Sequence, residues 1–201
     1  MTEHIAILGG TFDPIHIGHL AIAEEVRWHL GARVFFVPAA RQPLKANTHV
    51  ATAADRLAMV RLATADNPAF AVCDLEVRRG GRSYTVDTVA TLREEYPAAE
   101  FTFVAGADIV PDLHRWYQIE RLLGLCRFVI LTRPGYEVDL ETLVASVPAA
   151  RGRVSRLESP SLDISATALR ERLRRGAPVR YQVPDQVLEY IEAHGLYRSR
   201  D

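Results

Sequence analysis

Apolar residues along this chain alternate between two textures, short unbroken runs and longer stripes spaced three to four residues apart. The unbroken runs at residues 4–8, 33–37, 70–75, 101–105 and 126–131 read as strands buried on both faces, with a weaker one at 154–157. The stripes at 18–30, 53–65, 86–96, 118–123, 140–146, 166–175 and 184–194 read as helices. Buried strands alternating with amphipathic helices predict an α/β fold, a doubly wound parallel sheet covered on both faces. Proline and glycine (Pro38, Pro97, Pro134-Gly135, Gly176-Ala177-Pro178) punctuate elements and mark no linker, and no internal repeat stands out. The expectation is a single domain over 1–201, with a core at 1–160 and a C-terminal helical part at 161–201.

Composition narrows the class without naming a function. Of 201 residues, 48% are hydrophobic and 24% charged, and the net charge is −1. No global basic field attracts nucleic acid, and no apolar stretch reaches membrane-spanning length, so neither is an expected partner. Glu3 and the brevity of the first apolar run are unlike a secretion signal. Cys73 and Cys126 fall in apolar runs and read as buried, reduced thiols. A cytoplasmic protein is the expectation.

Chemistry concentrates between the first strand and the first helix, at Gly9-Gly10-Thr11-Phe12-Asp13-Pro14-Ile15-His16-Ile17-Gly18-His19. A glycine-rich turn entering a helix N-terminus is where α/β proteins hold phosphate, because amide N–H groups and the positive end of the helix dipole meet there. Gly9, Gly10 and Gly18 let the backbone come close, while Asp13-Pro14 stiffens the turn. His16 and His19 are three apart, so both imidazoles can face one anion and donate hydrogen bonds without a permanent charge. Taken singly, either histidine is as well explained as a helix cap. A zinc site is disfavoured because no third ligand stands at suitable spacing.

Other strand ends add polar groups to the same side of the sheet. Lys45 follows the second strand, Gly106-Ala107-Asp108 the fourth, and Thr132-Arg133 the fifth. Ligands bind outside such carboxyl ends, at the switch point of the sheet. Near the end of the chain, Ser165 is a good N-cap for a helix carrying Thr167 and Arg170 on one face, a second candidate anion site. Alone, that segment reads equally as a capped helix with a solvated basic face.

Together, the His16-x-Gly18-His19 element and residues 164–170 resemble the nucleotidyltransferase superfamily of adenylyl- and cytidylyltransferases, whose sheet is Rossmann-like. Residues 83–88 (Ser-Tyr-Thr-Val-Asp-Thr), Gly106-Ala107-Asp108 and His114-Arg115-Trp116-Tyr117 are similar to the bacterial nicotinate mononucleotide adenylyltransferases, and the likeness spans essentially the whole chain. The resemblance implies transfer of AMP from ATP to nicotinate mononucleotide by in-line displacement, with no covalent enzyme intermediate. It implies that His16, His19 and Arg170 act on the reacting phosphates. Gly9, Gly10, Thr11, Phe12, Gly18, Lys45, Arg133, Ser165 and Thr167 would bind ATP, and Thr85, Gly106, Asp108, Trp116 and Tyr117 the mononucleotide. In detail, Asp108 would bind a ribose, Trp116 would stack on the pyridine, and the Thr85 and Tyr117 amides would take its carboxylate. Magnesium would arrive on the polyphosphate, with no all-protein metal cage, and a homo-oligomer is compatible with the family.

One departure stands out: many relatives carry Pro-Pro-His-Lys where this chain has Gln42-Pro43-Leu44-Lys45, which predicts an altered substrate loop with the lysine retained. Two rival functions stay open at this point. One is a different transferase of the same superfamily, such as a pantetheine-phosphate adenylyltransferase or a cytidylyltransferase. The other is a non-catalytic nucleotide sensor on the same fold.

Overall fold

The computed structural model describes residues 2–41, 50–132, 138–160 and 162–198. Six strands form one sheet, β1 (His4–Gly10), β2 (Arg33–Pro38), β3 (Phe70–Val72), β4 (Glu100–Gly106), β5 (Arg127–Thr132) and β6 (Val154–Glu158). They lie in the order β3-β2-β1-β4-β5-β6, and every pairing is parallel. The expected Rossmann-like, doubly wound α/β sheet is therefore present. Its direction of winding reverses between β1 and β4, which opens a crevice at their carboxyl ends.

Alternation along the strands sorts the core into two layers. Ile5, Ile7, Phe35, Phe101, Phe103, Phe128 and Ile130 face one side. There they pack on α4 (Thr85–Glu95), α5 (Ile119–Leu125) and α6 (Leu140–Ser146) through Val89, Leu122 and Leu143. Ala6, Leu8, Val34, Phe36, Val104 and Val129 face the other. That face is covered by α1 (Ile17–Leu30), α2 (Ala53–Thr64), α7 (Ala166–Arg174) and α8 (Asp185–Ala193) through Val26, Met59, Leu169 and Val187. The C-terminal helices share this second layer with the sheet.

The structure corrects several boundaries. β3 ends at Val72 and not at residue 75, because this edge strand pairs only with β2, after which Asp74 starts the short helix α3 (Leu75–Arg79). Five residues are too few to show a helical period, so α3 was not foreseen. A run of tight 3₁₀ turns at Ala107–Arg115, with Pro111 inside it, was likewise not foreseen. Cys73 and Cys126 flank strands instead of lying within them, and both are buried free thiols. Among the described residues no helix is long and apolar enough to cross a membrane.

Candidate active site

β1 delivers the glycine-rich turn to the crevice. A Cβ on Gly10 would sit 2.9 Å from the Phe12 ring, which explains the small residue there. Phe12 itself holds φ at +50°, a left-handed conformation uncommon for non-glycine residues. Its buried ring packs against Phe36, with centroids 5.8 Å apart, and against His19 at 5.1 Å.

His16 caps the N-terminus of α1, and its backbone N–H donates to His19 Nδ1 at 3.2 Å. The two imidazoles overlap with centroids 3.7 Å apart, and Gly18 makes room for them: a Cβ there would meet His16 Nδ1 at 3.0 Å. Because His19 Nδ1 accepts a hydrogen bond, a neutral His19 carries its proton on Nε2, leaving that N–H to donate. Burial lowers the pKa of His16 to about 4. Burial, then the neighbouring His16, lowers that of His19 to about 3, although part of its surface still reaches solvent. At neutral pH both rings are uncharged hydrogen-bond partners. His16 Nδ1 is buried without a partner, an unspent polar atom in the middle of the turn.

The Ser165–Arg170 segment meets the glycine-rich turn. Ser165 caps α7 by accepting from the Ala168 N–H at 3.2 Å. Arg170 Nη1 donates to the Asp13 carbonyl at 2.7 Å across 157 positions of sequence, and its Nη2 donates to Thr167 Oγ1 at 3.2 Å. The Ile17 N–H, at the start of α1, donates to the Gln182 carbonyl at 2.9 Å, a further tie to the C-terminal part. Ser165 and Thr167 are exposed and Arg170 is half-buried, so the polar end of α7 remains accessible.

On the other side of the switch point, the Asp108 carboxylate folds back over Gly106, where a Cβ would lie 2.5 Å from Oδ1. Trp116 is half-buried, its ring set against Phe103 at 5.7 Å and Phe128 at 6.2 Å. Tyr117 is exposed and its ring lies 4.6 Å from that of Tyr84, which brings the segment of Tyr117 beside the N-terminus of α4 at Thr85. Tyr84 caps α4 without a side-chain acceptor. Lys45 and Arg133, and with them the Leu44 departure, lie outside the described residues.

Three supporting residues were not anticipated. Asp13 is not merely a turn former. Its Oδ2 accepts from the Val50 N–H at 3.0 Å, and its Oδ1 accepts from the Ala51 N–H at 3.2 Å and the Tyr197 hydroxyl at 2.7 Å. Burial first, and then the Asp13 carboxylate, push the Tyr197 phenol far above its usual range, so it stays a donor. Arg56 is 1% exposed and donates to the Thr11 carbonyl at 2.6 Å and the Ala40 carbonyl at 3.3 Å. Arg56 had a readable signal, since it shares an apolar helix stripe with Met59, Val60 and Ala63 at i+3, i+4 and i+7. Tyr197 had none, being one tyrosine near the chain end.

Against the first turn of α4, Glu76 is buried and accepts from the Thr88 hydroxyl at 2.7 Å, with burial raising its pKa. Ser83 ties α4 to the end of β2, its Oγ accepting from the Ala40 N–H at 3.0 Å. Among the described residues no group of three His, Cys, Asp or Glu could hold a metal ion. Surface cavities of about 290 Å³ beside Cys73 and Tyr96 and about 320 Å³ beside His29 and Ser159 include none of these residues.

A family model described as cytidylyltransferase-like matches residues 7–172. A protein of Herpetosiphon aurantiacus named a probable nicotinate-nucleotide adenylyltransferase is 50% identical over 97% of this chain and 98% of its own. One of the same name from Roseiflexus sp. is 52% identical over 96% of this chain and 98% of its own. In fold, the chain matches the Plasmodium falciparum nicotinic acid mononucleotide adenylyltransferase solved with NaAD, at a TM-score of 0.76 and 22% identity, covering 97% of each chain.

Proposed function

The chain belongs to the cytidylyltransferase-like family, and within it we infer a nicotinate-nucleotide adenylyltransferase of NAD biosynthesis. It transfers AMP from ATP to nicotinate mononucleotide, giving nicotinate adenine dinucleotide and pyrophosphate. The observation that carries the reaction type is the contact of Arg170 with both the Asp13 carbonyl and Thr167, since it joins two anion-binding regions into one surface. The pyridine acceptor rests on the near-full-length relatives of that name.

In this reading a phosphate oxygen of the mononucleotide attacks the α-phosphorus of ATP as the bond to the β-phosphate oxygen breaks, and pyrophosphate leaves with the electron pair. Such a displacement needs alignment and charge neutralisation more than a protein nucleophile. The Gly9–Phe12 backbone and the His19 Nε2–H donate to phosphate oxygens. Ser165, Thr167 and Arg170 hold the departing β- and γ-phosphates, so that the C-terminal part completes the phosphate site, with Lys45 and Arg133 joining from outside the described residues. The described groups facing this surface are amides, imidazoles, hydroxyls and a guanidinium, suited to anions. The Asp13 carboxylate is already engaged by Val50, Ala51 and Tyr197. Magnesium therefore fits as an ion carried in on the polyphosphate, where it would offset charge as pyrophosphate forms. Two buried free thiols support a cytoplasmic location.

On the acceptor side Asp108 binds a ribose, Trp116 stacks on the pyridine, and the Thr85 and Tyr117 amides take its carboxylate. Paired N–H donors favour a carboxylate over an amide, whose NH₂ would face them as a donor. A coupled pyrophosphate assay with ATP, magnesium and a panel of acceptors tests the assignment. Nicotinate mononucleotide should be used far better than nicotinamide mononucleotide, and phosphopantetheine not at all. Turnover with phosphopantetheine alone would move the chain to the other branch of the superfamily. Separately, Trp116→Ala should raise KM for the mononucleotide about tenfold, the scale of one lost stacking contact, with KM for ATP nearly unchanged. Equal effects on both constants would remove Trp116 from the pyridine site.

A further inference from the structure

Arg56 is a buried cation that stability alone does not explain. It sits on the apolar stripe of α2 beside Met59 and Val60, 1% exposed, and its Nε has no hydrogen-bond partner. Among the described residues no carboxylate pairs with it directly; the negative charge that acts on it most is that of Asp13. Desolvating a guanidinium costs several kcal/mol, and an apolar residue on such a stripe is often the more stable choice. What Arg56 gains instead is a grip on two carbonyls, Thr11 in the phosphate turn at the end of β1 and Ala40 just beyond β2.

That grip has a directional consequence. In a planar trans peptide the C=O and N–H point opposite ways. With the Thr11 carbonyl drawn to Arg56, the N–H of the same peptide, that of Phe12, points away from the guanidinium. Directly after this peptide, Phe12 holds its left-handed φ of +50°. The Ala40 end behaves consistently: its carbonyl meets Arg56 while the following N–H, of Arg41, reaches the Ser83 hydroxyl at 3.5 Å on the opposite side.

We propose that Arg56 is a positioning residue for phosphate transfer: its guanidinium holds the Thr11 and Ala40 carbonyls, aims the Phe12 N–H at the polyphosphate and places a fixed positive charge beneath it. The proposal rests on the adenylyltransferase reading above, and the test keeps the two apart. Wild type inactive with ATP and nicotinate mononucleotide would defeat that reading; an active wild type leaves the variants to judge Arg56.

Arg56→Lys keeps the charge but offers an ammonium too compact to span both carbonyls. It should lower kcat/KM for ATP about tenfold, the scale of one lost charged hydrogen bond, with KM for the mononucleotide unchanged. Arg56→Ala should be less active still, and millimolar guanidinium should restore it severalfold where ammonium does not. A folded Arg56→Lys with wild-type kcat/KM for ATP, losses spread evenly over both substrates, or equal rescue by the two cations would overturn the proposal. If Arg56→Ala does not fold, the substrate split in Arg56→Lys decides alone.

Discussion

Replacing His19 with alanine should cut kcat at least about a hundredfold, the cost of removing one preorganised donor to a developing negative charge. The side chain has two jobs that the geometry separates. Its Nδ1 accepts the His16 N–H, as a capping-box residue does at the third position of a helix. In the proposed reading its Nε2–H donates to a phosphate oxygen. His19→Gln is the informative partner, because a glutamine at that helical position can also reach back to the N-cap amide. It should keep α1 intact and the thermal midpoint near wild type while remaining about as slow as the alanine variant. Recovery of most of the turnover by glutamine would mean that the cap alone, or any amide N–H at this place, replaces the imidazole. Single-turnover pyrophosphate release with saturating ATP measures the chemical step for all three proteins. Because the ring is neutral at working pH, KM for ATP should change far less than kcat, since no ground-state ion pair is lost.

Much of this site was legible before any fold was known, for a physical reason. Glycines in a turn ahead of a helix, histidines one helical turn apart and a good N-cap ahead of Thr167 and Arg170 are local patterns, and local patterns survive in a linear string. The sheet was legible likewise, since strands buried on both faces must be apolar throughout, as 5–8 and 128–131 are. What supports the turn was not legible. Asp13 reads as a turn former, and only the fold shows its carboxylate gathering Val50, Ala51 and Tyr197 from two distant places along the chain. The meeting of Arg170 with the Asp13 carbonyl was anticipated as a convergence of two regions, but not as this contact. Pairings over such separations leave no trace in one sequence, because any tyrosine can donate and any arginine can be surface. Arg56 lies between the two cases, its place on an apolar stripe visible and its carbonyl partners not.

The buried histidine pair also predicts how the fold responds to acid. In the unfolded chain His16 titrates near its ordinary 6.5, while in the native protein burial holds it at about 4. Between those values the unfolded state binds a proton that the native state refuses, so native stability falls as the pH drops through this window. Stability is fully present above about pH 6.5 and the loss is complete near pH 4, amounting to about 3 kcal/mol for His16 at roughly 1.4 kcal/mol per unit. His19 adds to the loss with the same sign, moderated by the part of its ring that meets water. His16→Asn isolates the effect, because asparagine is a preferred N-cap and keeps the start of α1 satisfied. Urea unfolding at about pH 7 and about pH 5 should show wild type losing about 2 kcal/mol more than His16→Asn, all other titrating groups being common to both. Parallel losses in the two proteins would mean that the His16 ring is solvated enough to protonate freely in the native state. A bound polyphosphate should shrink the wild-type loss, since an anion beside the rings favours their charged forms and raises their pKa values toward those of the unfolded chain.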